Sequence, residues 1–551
     1  MRVKIKVKCP DGVIKYKNKK TGVTTVYITS EIRYNKEKKY NVNKRKYVGK
    51  MIDDEYIEAN DTFFEIYPEL YPLENSADKS GALNVGFFIA LSKIMDDKKL
   101  NLILDKIYAD KANLLKDLSM YLIVSEDNVI QHFPDYEYNH PQFNEQSVSD
   151  SYISELFKQI PISQHETFLD EWNEIQPHNE KTYISYDSTN SGTAASGIDL
   201  AEIGHAKVDN GLPIVNTALA FNQETGTPLF YEDYPGSIID NTQCSSMVDR
   251  AKRYGYNNVG FILDRGYFSK ENIKYMDENG YSFIMMAKGN SIFIKDAIID
   301  ARKIFDNDSS CFINGKNLYG ITFKRKLYSD DIKDRYIHIF WDKKRASDEE
   351  FRVLNQLSGC ENDLLKMIEM EKIDNSILER CKKYFEVEID KNKITSYSRN
   401  EQKVQNELRK CGCFAIITSD EMTKEEALYN YRHRDGIEKI FEVSKSFLGE
   451  DVFRVHTSES LHSKQQVVFI AEILRAELFN KLSSIREKDK KNYTVPAVIR
   501  ELEKIEVIKS DNNSYRVRFA LTKKQKEILE CLGIDEKYLK DEAIKICQKY
   551  S

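Results

Sequence analysis

Four residues with polar or charged side chains recur at helical spacing late in the chain. Tyr431, Arg434, Glu438 and Lys445 follow one another at steps of three, four and seven residues. At about 100° per residue, these steps place the four side chains on one face of a helix. A carboxylate beside two cations suits a site that binds a metal ion and a phosphate backbone together, because the carboxylate takes the metal ion and Arg and Lys take the phosphate charge. The alternative is an ordinary solvated helix face.

The helix that would carry this face has a clear predicted start. Thr423 and Glu426 form the Thr-x-x-Glu pattern of a capping box, and no proline interrupts the run from there to Phe447. Apolar residues such as Ile437 offer packing contacts away from the polar face. We therefore predict a helix that begins just after Thr423.

Two aspartates follow predicted strands and would supply the further carboxylates that a metal ion needs. Asp187 ends the short extended run 183–186, and Asp264 ends the apolar run 259–263, which is typical of a central strand buried on both faces. Carboxylates at the carboxyl ends of neighbouring strands converge at one rim of a sheet, where they can bind hard cations together with a helix carboxylate. Either aspartate alone is more often a turn or cap residue. Their combination with the polar helix face favours a metal site.

The acidic residues and their surroundings resemble the DDE transposases of bacterial insertion sequences. The resemblance is to the insertion-sequence-four-like branch, whose last acidic residue lies in the signature Y-x2-R-x3-E-x6-K, and the face described above fills that pattern without a gap. Segment 263–269, Leu-Asp-Arg-Gly-Tyr-Phe-Ser, is similar to the second aspartate motif of the family, and 185–189, Ser-Tyr-Asp-Ser-Thr, to the first. The resemblance is most specific over 180–290 and 410–480.

This resemblance implies an enzyme that binds the terminal inverted repeats of an insertion sequence and catalyses metal-dependent cleavage and strand transfer into target DNA, in a cut-and-paste manner. It implies two divalent ions, Mg with Mn as a possible substitute, and a homodimer on double-stranded DNA. The residues implied for catalysis and metal binding are Asp187, Asp264 and Glu438. The residues implied for contact with DNA phosphates are Tyr431, Arg434 and Lys445.

The predicted fold class is a multidomain α/β protein with a ribonuclease H-like core, a basic strand-rich arm and a helical amino-terminal domain. Between the strands that end near 287 and begin near 413, about 120 residues are too many for a loop and predict a strand-containing insertion. Trp341, within this insertion, is a candidate to stack on an unpaired base, although a buried core tryptophan is the more common alternative.

We predict six segments along the chain. They are a basic strand-rich region at 1–80, a helical DNA-binding domain at 81–180, the first part of the core at 181–290, the insertion at 291–410, the second part of the core with the acidic helix at 411–480, and a helical region at 481–551. Residues 1–50 contain sixteen Lys and Arg against three acidic residues. This excess suits an arm on phosphate backbone, although a solvated lysine-rich hairpin would look similar.

Charge and composition restrict the partners and the compartment. The net charge is -6, so affinity for DNA must come from local basic surfaces. No signal peptide or run of about eighteen apolar residues is present, so we expect no membrane partner. The nine scattered cysteines favour reduced thiols, which together with the transposase resemblance leads us to expect a cytoplasmic, nucleoid-associated protein.

Two other functions fit the same residues. A nuclease with the ribonuclease H-like fold would use the three acids for hydrolysis only, without strand transfer. A domesticated derivative would bind DNA without cutting it, although the intact acids Asp187, Asp264 and Glu438 argue against a lost site.

Overall fold

The computed structural model of the protein describes residues 5–35, 39–67, 80–126, 128–178, 181–206, 211–289, 291–433, 452–509, 515–518 and 520–550. The chain divides into two compact units, Met1–Ser80 and Gly81–Ser551. Within the described residues, no helix has the length and apolar character needed to cross a membrane.

The first unit is an antiparallel sheet with one short helix. Its strands lie in the order β1-β5-β4-β3-β2, and its elements are β1 Ile5–Lys8, β2 Ile14–Lys17, β3 Thr24–Asn35, β4 Tyr40–Met51, β5 Tyr56–Ala59 and α1 Asp61–Ile66. Asn60 caps α1 by accepting a hydrogen bond from the Phe63 amide. Val26, Val48 and Phe63 are fully buried beneath this sheet, so the unit has an apolar core of its own.

The long strands β3 and β4 form a ribbon whose distal part leaves the core of the first unit. Ile32, Tyr34 and Tyr40, in that distal part, are all more than half exposed. The side chains of 44–46, Lys-Arg-Lys, are exposed as well. The predicted basic, strand-rich character of this region is therefore present as a two-stranded ribbon.

The second unit begins with one strand and a group of helices. These elements are β6 Ala82–Asn84, α2 Gly86–Asp97, α3 Leu100–Tyr108, α4 Ala112–Ser125, α5 Phe133–Asn139, α6 Asp150–Gln159 and α7 Ile162–Glu174. Their apolar faces share one large core with the sheet described next. The structure thus packs this helical region, predicted as a separate domain, into the same compact unit as the rest of the second unit.

A nine-stranded mixed sheet is the centre of the second unit. Its strand order is β12-β13-β14-β17-β11-β10-β7-β8-β9. The strands are β7 Thr182–Gly192, β8 Ile214–Asn222, β9 Pro228–Pro235, β10 Val259–Leu263, β11 Ser282–Met286, β12 Phe312–Ile313, β13 Leu318–Arg325, β14 Arg335–Trp341 and β17 Cys413–Thr418. The connecting helices are α8 Asp240–Arg253, α9 Lys270–Glu278 and α10 Ile292–Phe305. Along the chain, the elements from β7 to β11 are three strands, a helix, a strand, a helix and a strand.

The segment predicted as one insertion divides into two parts. β13 and β14 extend the main sheet, because β14 pairs with β17 from Tyr336 opposite Thr418 to Trp341 opposite Cys413. Only 343–410 leaves the sheet, and we call this part the satellite. Its elements are α11 Lys343–Glu369, α12 Asn375–Cys381, β15 Phe385–Asp390, β16 Lys393–Arg399 and α13 Glu401–Lys410, around their own small core.

The carboxyl-terminal part of the second unit is mostly helical and packs against the main sheet. It contains α14 Lys424–His433, α15 Ser458–Lys481, α16 Ser483–Lys488, α17 Val495–Leu502, β18 Glu506–Lys509, β19 Tyr515–Val517, α18 Lys523–Cys531 and α19 Glu536–Lys549. α15 is buried on almost every side and packs against α4, α6, α7 and β9, as expected of a central helix. It thereby joins the amino-terminal helices to the sheet.

Candidate active site

The two predicted aspartates lie at the same level of two adjacent parallel strands. β7 and β10 pair from Val259 opposite Thr182 to Leu263 opposite Tyr186. Asp187 is the next residue of β7, and Asp264 directly follows β10. Residues at equal levels of neighbouring strands project from the same face, so the two carboxylates lie side by side. Both residues are half-buried.

The position of Asp187 differs from the prediction that it ends its strand. β7 continues to Gly192, and its pairing with β8 runs on from Asp187 opposite Leu219 to Gly192 opposite Ile214. On the other side of β7, the neighbour β10 ends at Leu263. Asp187 therefore lies at the rim of the parallel pair although it is interior to its own strand.

α14 covers the face of the sheet from which the two aspartates project. Leu428 and Tyr431 of α14 pack with Ile262, Ile284 and Ile416 in one apolar cluster. Ile262 is two residues before Asp264 and thus on the same face. The helix that carries the start of the predicted polar face therefore lies directly over the strand ends.

The hydroxyl of Tyr431 donates a hydrogen bond to Oδ1 of Asp264, with 3.3 Å between the two oxygens. The ring of Tyr431 is 7% exposed. Tyr431 was predicted to contact DNA phosphates, whereas its hydroxyl lies on a carboxylate in the structure. Its position suits a residue that orients Asp264.

Local hydrogen bonds fix the start of α14. The Thr423 hydroxyl accepts from the amide of Glu426 at 3.2 Å, and the Glu426 carboxylate accepts from the amide of Thr423 at 2.8 Å. These reciprocal bonds form the predicted capping box. The hydrogen bonds that the Glu426 carboxylate accepts from Thr423 also lower the pKa of Glu426. The helix start is thus determined by residues close in sequence.

A glutamine braces α14 against the sheet. The side-chain amide of Gln223, in the turn between β8 and β9, donates to the carbonyl of Asn430 at 3.4 Å. Its carbonyl oxygen accepts from the hydroxyl of Ser185, on β7. Gln223 therefore links the first aspartate strand to the helix of Tyr431. Sequence reasoning missed this residue, because a glutamine in a polar turn has no distinguishing pattern.

The turn after Asp264 is held by aromatic packing. A single 3-10 turn spans Arg265–Tyr267, and the ring of Tyr267 packs edge-on against Tyr186, with 5.6 Å between the centroids. Ser269 then caps α9 by accepting from the Asn272 amide at 3.2 Å. These contacts fix the backbone on the carboxyl side of Asp264.

The opposite rim of the sheet carries a carboxylate in a different environment. Asp420, just beyond β17, pairs with Lys181, and Ser282 donates to it at 2.8 Å. Burial alone would raise the pKa of Asp420, but these hydrogen bonds outweigh it and lower that pKa. The charge of Asp420 is therefore balanced by Lys181, and this rim is not a candidate cation site.

The third predicted ligand lies outside the described residues. Glu438, Arg434 and Lys445 fall within 434–451, so their predicted places on the helix face stay predictions. In the parts of the chain that the structure describes, no group of three or more His, Cys, Asp or Glu side chains could hold a metal ion. Asp187 and Asp264 supply two carboxylates, which is a donor set that fits a hard divalent ion and leaves room for a further carboxylate.

Trp341 has the surroundings of a core residue. Its side chain is 8% exposed, and it stacks on Phe305 with 6.4 Å between the ring centroids. The guanidinium of Arg302 lies 3.5 Å from the centroid of the indole ring. Because these neighbours cover the ring, an unpaired DNA base cannot stack on it. Trp341 is better described as a buried core residue than as a stacking residue.

A lysine near the two aspartates was also missed. Lys288 follows β11 by two residues and is exposed. Since Met286, at the end of β11, packs on the face of α14, alternation places Lys288 at that same rim. A search of the sequence for Lys or Arg just after each predicted strand would have found Lys288.

One protein-family model matches the chain. Residues 179–471, more than half of the chain, match the family described as "Transposase DDE domain". No curated protein matches the chain. Among solved structures, the chain is similar to the piggyBac transposase in the cryo-EM structure of its synaptic complex with hairpin DNA, at 9% identity and a TM-score of 0.36, over 79% of this chain and 76% of that one.

Proposed function

The chain belongs to the transposase DDE domain family, and from this premise we propose that it binds the terminal inverted repeats of an insertion sequence and catalyses their cleavage and transfer into target DNA. The observation that supports this proposal most directly is the pair Asp187 and Asp264. They lie side by side on adjacent parallel strands beneath α14, and the predicted Glu438 segment follows α14 in the chain.

We infer that Asp187, Asp264 and Glu438 hold two divalent ions, Mg or Mn. Such ions, when bound, activate a nucleophilic oxygen and stabilise the leaving oxygen of an in-line phosphoryl transfer. Asp187 is fixed by its strand, and Asp264 is oriented by the hydroxyl of Tyr431. Asp187 and Asp264, at the same level of adjacent strands, would repel each other as carboxylates without a counter-ion, so the pair suits a cation.

The cationic residues would hold DNA rather than react with it. Arg434 and Lys445 are assigned to phosphates that flank the cleaved bond, through charge-assisted hydrogen bonds. Exposed Lys288 lies at the same rim and suits a further phosphate contact. Together these cations would neutralise the backbone beside the two aspartates.

The ribonuclease H-like core belongs to the same proposal. β7, β8 and β9 are followed by β10 and β11, and these strands lie side by side as β9-β8-β7-β10-β11, with the two aspartate strands adjacent in the middle. The adjacency of the two aspartate strands supports this part of the proposal. On this view β12, β13, β14 and the satellite are additions beyond β11 and β17.

The first unit is proposed as the DNA-binding arm. Its ribbon exposes the 44–46 run, Lys-Arg-Lys, next to the exposed rings of Tyr34 and Tyr40. A two-stranded ribbon can enter the major groove of duplex DNA, and its cations can contact phosphates at the groove edges. A homodimer that holds two ends at once is the assembly that this activity requires.

The test is cleavage and strand transfer of DNA that carries the ends of the element. Asp187→Asn and Asp264→Asn should each abolish Mg-dependent nicking while gel-shift binding of the ends persists. Asp420→Asn, which changes a carboxylate on the opposite rim of the same sheet, should retain nicking. Near-normal nicking by either site variant would contradict the proposal, and nicking by the wild type without strand transfer would indicate the nuclease instead.

A further inference from the structure

The ribbon of β3 and β4 has two chemically different faces. Since side chains alternate along a strand, Asn41, Asn43 and Arg45 of β4 project from one face, which we call the amide face. Lys44 and Lys46 project from the other, which we call the lysine face. All five side chains are exposed. Two amides and a guanidinium are therefore separated from the lysines, although all five residues belong to one strand.

The amide face is directed away from the core of the first unit. Ile28 lies opposite Lys46 on the lysine face and packs against that core. The core is therefore on the lysine side of the ribbon. On the amide face, Tyr27 and Tyr47 follow Arg45 towards the sheet and contact each other, with 5.7 Å between their ring centroids. An elongated partner can thus approach the amide face without meeting the core.

The two asparagines of this face are unusual residues for the inside of a strand. Asparagine is depleted in strands, because its side chain favours turns and helix caps. In the first unit, Asn18 accepts hydrogen bonds within a turn, and Asn60 caps α1. Asn41 and Asn43 instead lie within the ladder between β3 and β4. Backbone structure therefore does not explain these two amides, which points to a partner outside the chain.

The amide face carries the types of side chain that distinguish base pairs in the major groove of DNA. An asparagine amide can donate to and accept from one adenine, and an arginine can donate twice to one guanine. Ile32 lies directly opposite Asn43 and is 62% exposed, so it can contact the methyl group of a thymine that pairs with adenine. The lysines of the other face are flexible cations that suit phosphates along the groove walls.

We propose that the amide face reads the base sequence at the ends of the element, with Asn41 and Asn43 each on an A·T pair and Arg45 on a G·C pair. This inference rests on the proposed function, since it names the bases that the DNA-binding arm recognises. Alternate residues of a strand are about 6.8 Å apart, and base pairs along B-DNA are about 3.4 Å apart. With the ribbon along the groove, the three contacts fall about two base pairs apart and span about five base pairs.

The test is selection of bound duplexes from a pool of random sequence by the full-length protein, followed by sequencing. The wild type should enrich sites with two A·T pairs and one G·C pair at this spacing. Asn43→Ala should lose the preference at the central position alone, by at least about fivefold. Asn43→Gln should keep that preference, because glutamine forms the same pair of hydrogen bonds to adenine.

Two charge-removing variants at neighbouring positions separate the two faces. Arg45→Gln should lose the preference for guanine at its position. Lys44→Gln is the matched control, because it removes the same charge from the lysine face. It should weaken binding to all sequences alike, lower the slope of log affinity against log salt by about 0.9 and leave the selected sequence unchanged. Circular dichroism should match the wild type for every variant, since these side chains are exposed.

The outcomes separate this readout from the proposed function. Wild-type binding without base preference would overturn the readout and leave the DNA-binding arm standing. The same holds for a selected sequence that Asn43→Ala and Arg45→Gln leave unchanged, or one that Lys44→Gln alters. A wild-type protein that binds no duplex from the pool would overturn both the readout and the arm.

Discussion

The hydroxyl of Tyr431 and the carboxylate of Asp264 are joined by a hydrogen bond of 3.3 Å between residues 167 positions apart in the chain. This bond connects the helix after the last sheet strand to the end of β10. It makes the orientation of one proposed metal ligand depend on a residue that was expected to contact DNA.

Tyr431→Phe should reduce nicking without unfolding the protein. The variant keeps the ring in its apolar cluster and removes only the hydroxyl that donates to Asp264. The loss of one such hydrogen bond is about 0.5–1.5 kcal/mol, or roughly a 2- to 10-fold lower rate at subsaturating Mn. Single-turnover nicking against Mn concentration measures this effect. Tyr183→Phe, on the same face of the sheet, is the control. Equal rates for Tyr431→Phe and wild type would remove the positioning role.

Arg434→Ala and Lys445→Ala should weaken DNA binding but not metal binding. Each should cost about 1.5–3 kcal/mol of affinity for a substrate cut at the element end, if each side chain makes a charge-assisted bond to phosphate. Calorimetric titration with Mn in the absence of DNA should match the wild type. Loss of Mn affinity in Lys445→Ala would instead assign that residue to the metal site.

Removal of residues 1–80 should abolish binding to the element ends and leave Mn binding intact. The boundary matters, because a cut at 50 would end inside β4 and separate β5 and α1 from their partner strand. In the full-length protein, alanines at Lys44, Arg45 and Lys46 should weaken end binding and reduce the slope of log affinity against log salt by about 0.9 for each lost phosphate contact. Filter binding over a salt series measures both effects.

The control for this charge removal is alanine substitution of three exposed lysines at the end of α16 and in the loop after it. These residues are Lys490 and Lys491 in that loop and Lys488, the last residue of α16. The control should keep the wild-type slope. Full end binding by the truncated protein would show that the ribbon is only a solvated surface, and the helices between β6 and β7 would become the candidate end-binding region.

Two buried histidines should make the protein sensitive to mild acid. Burial lowers the pKa of His165 to about 3 and that of His338 to about 4. Between those values and about 6.5, the unfolded chain binds protons that the folded chain does not, so the free energy of unfolding falls as the pH falls, by about 1.4 kcal/mol per pH unit for each histidine. Urea unfolding between pH 7 and 4.5 measures this slope. His338→Gln should make it shallower, whereas exposed His205→Gln is the control; an unchanged slope in His338→Gln would contradict the assignment.

Local patterns in the sequence predicted the elements around the site well. The apolar run before Asp264 predicted β10, and the Thr423 and Glu426 pair predicted the start of α14, because both depend on neighbouring residues. The polar run after Asp187 looked like a loop, yet it pairs with β8 to Gly192. The strand persists there because backbone hydrogen bonds to β8 outweigh the weak strand preference of those side chains.

Local sequence patterns do not predict which strands far apart in the chain pair with each other. Nothing near β14 in sequence indicates that it lies beside β17, since the two strands are separated by the whole satellite. The assignment of β13 and β14 to an insertion was therefore reasonable from spacing alone, and only tertiary structure corrects it. The contact between Tyr431 and Asp264 was invisible for the same reason.

The place of β17 between β14 and β11 also has a consequence for synthesis of the protein. A chain leaves the ribosome amino end first and folds unit by unit. The ribbon-bearing unit of residues 1–80 is complete early, whereas β17 and the Tyr431 helix emerge only after the satellite. A nascent chain therefore acquires its basic surface long before the cover over its two aspartates. Under the proposed function, translation itself would separate the time at which DNA can be bound from the time at which it can be cut.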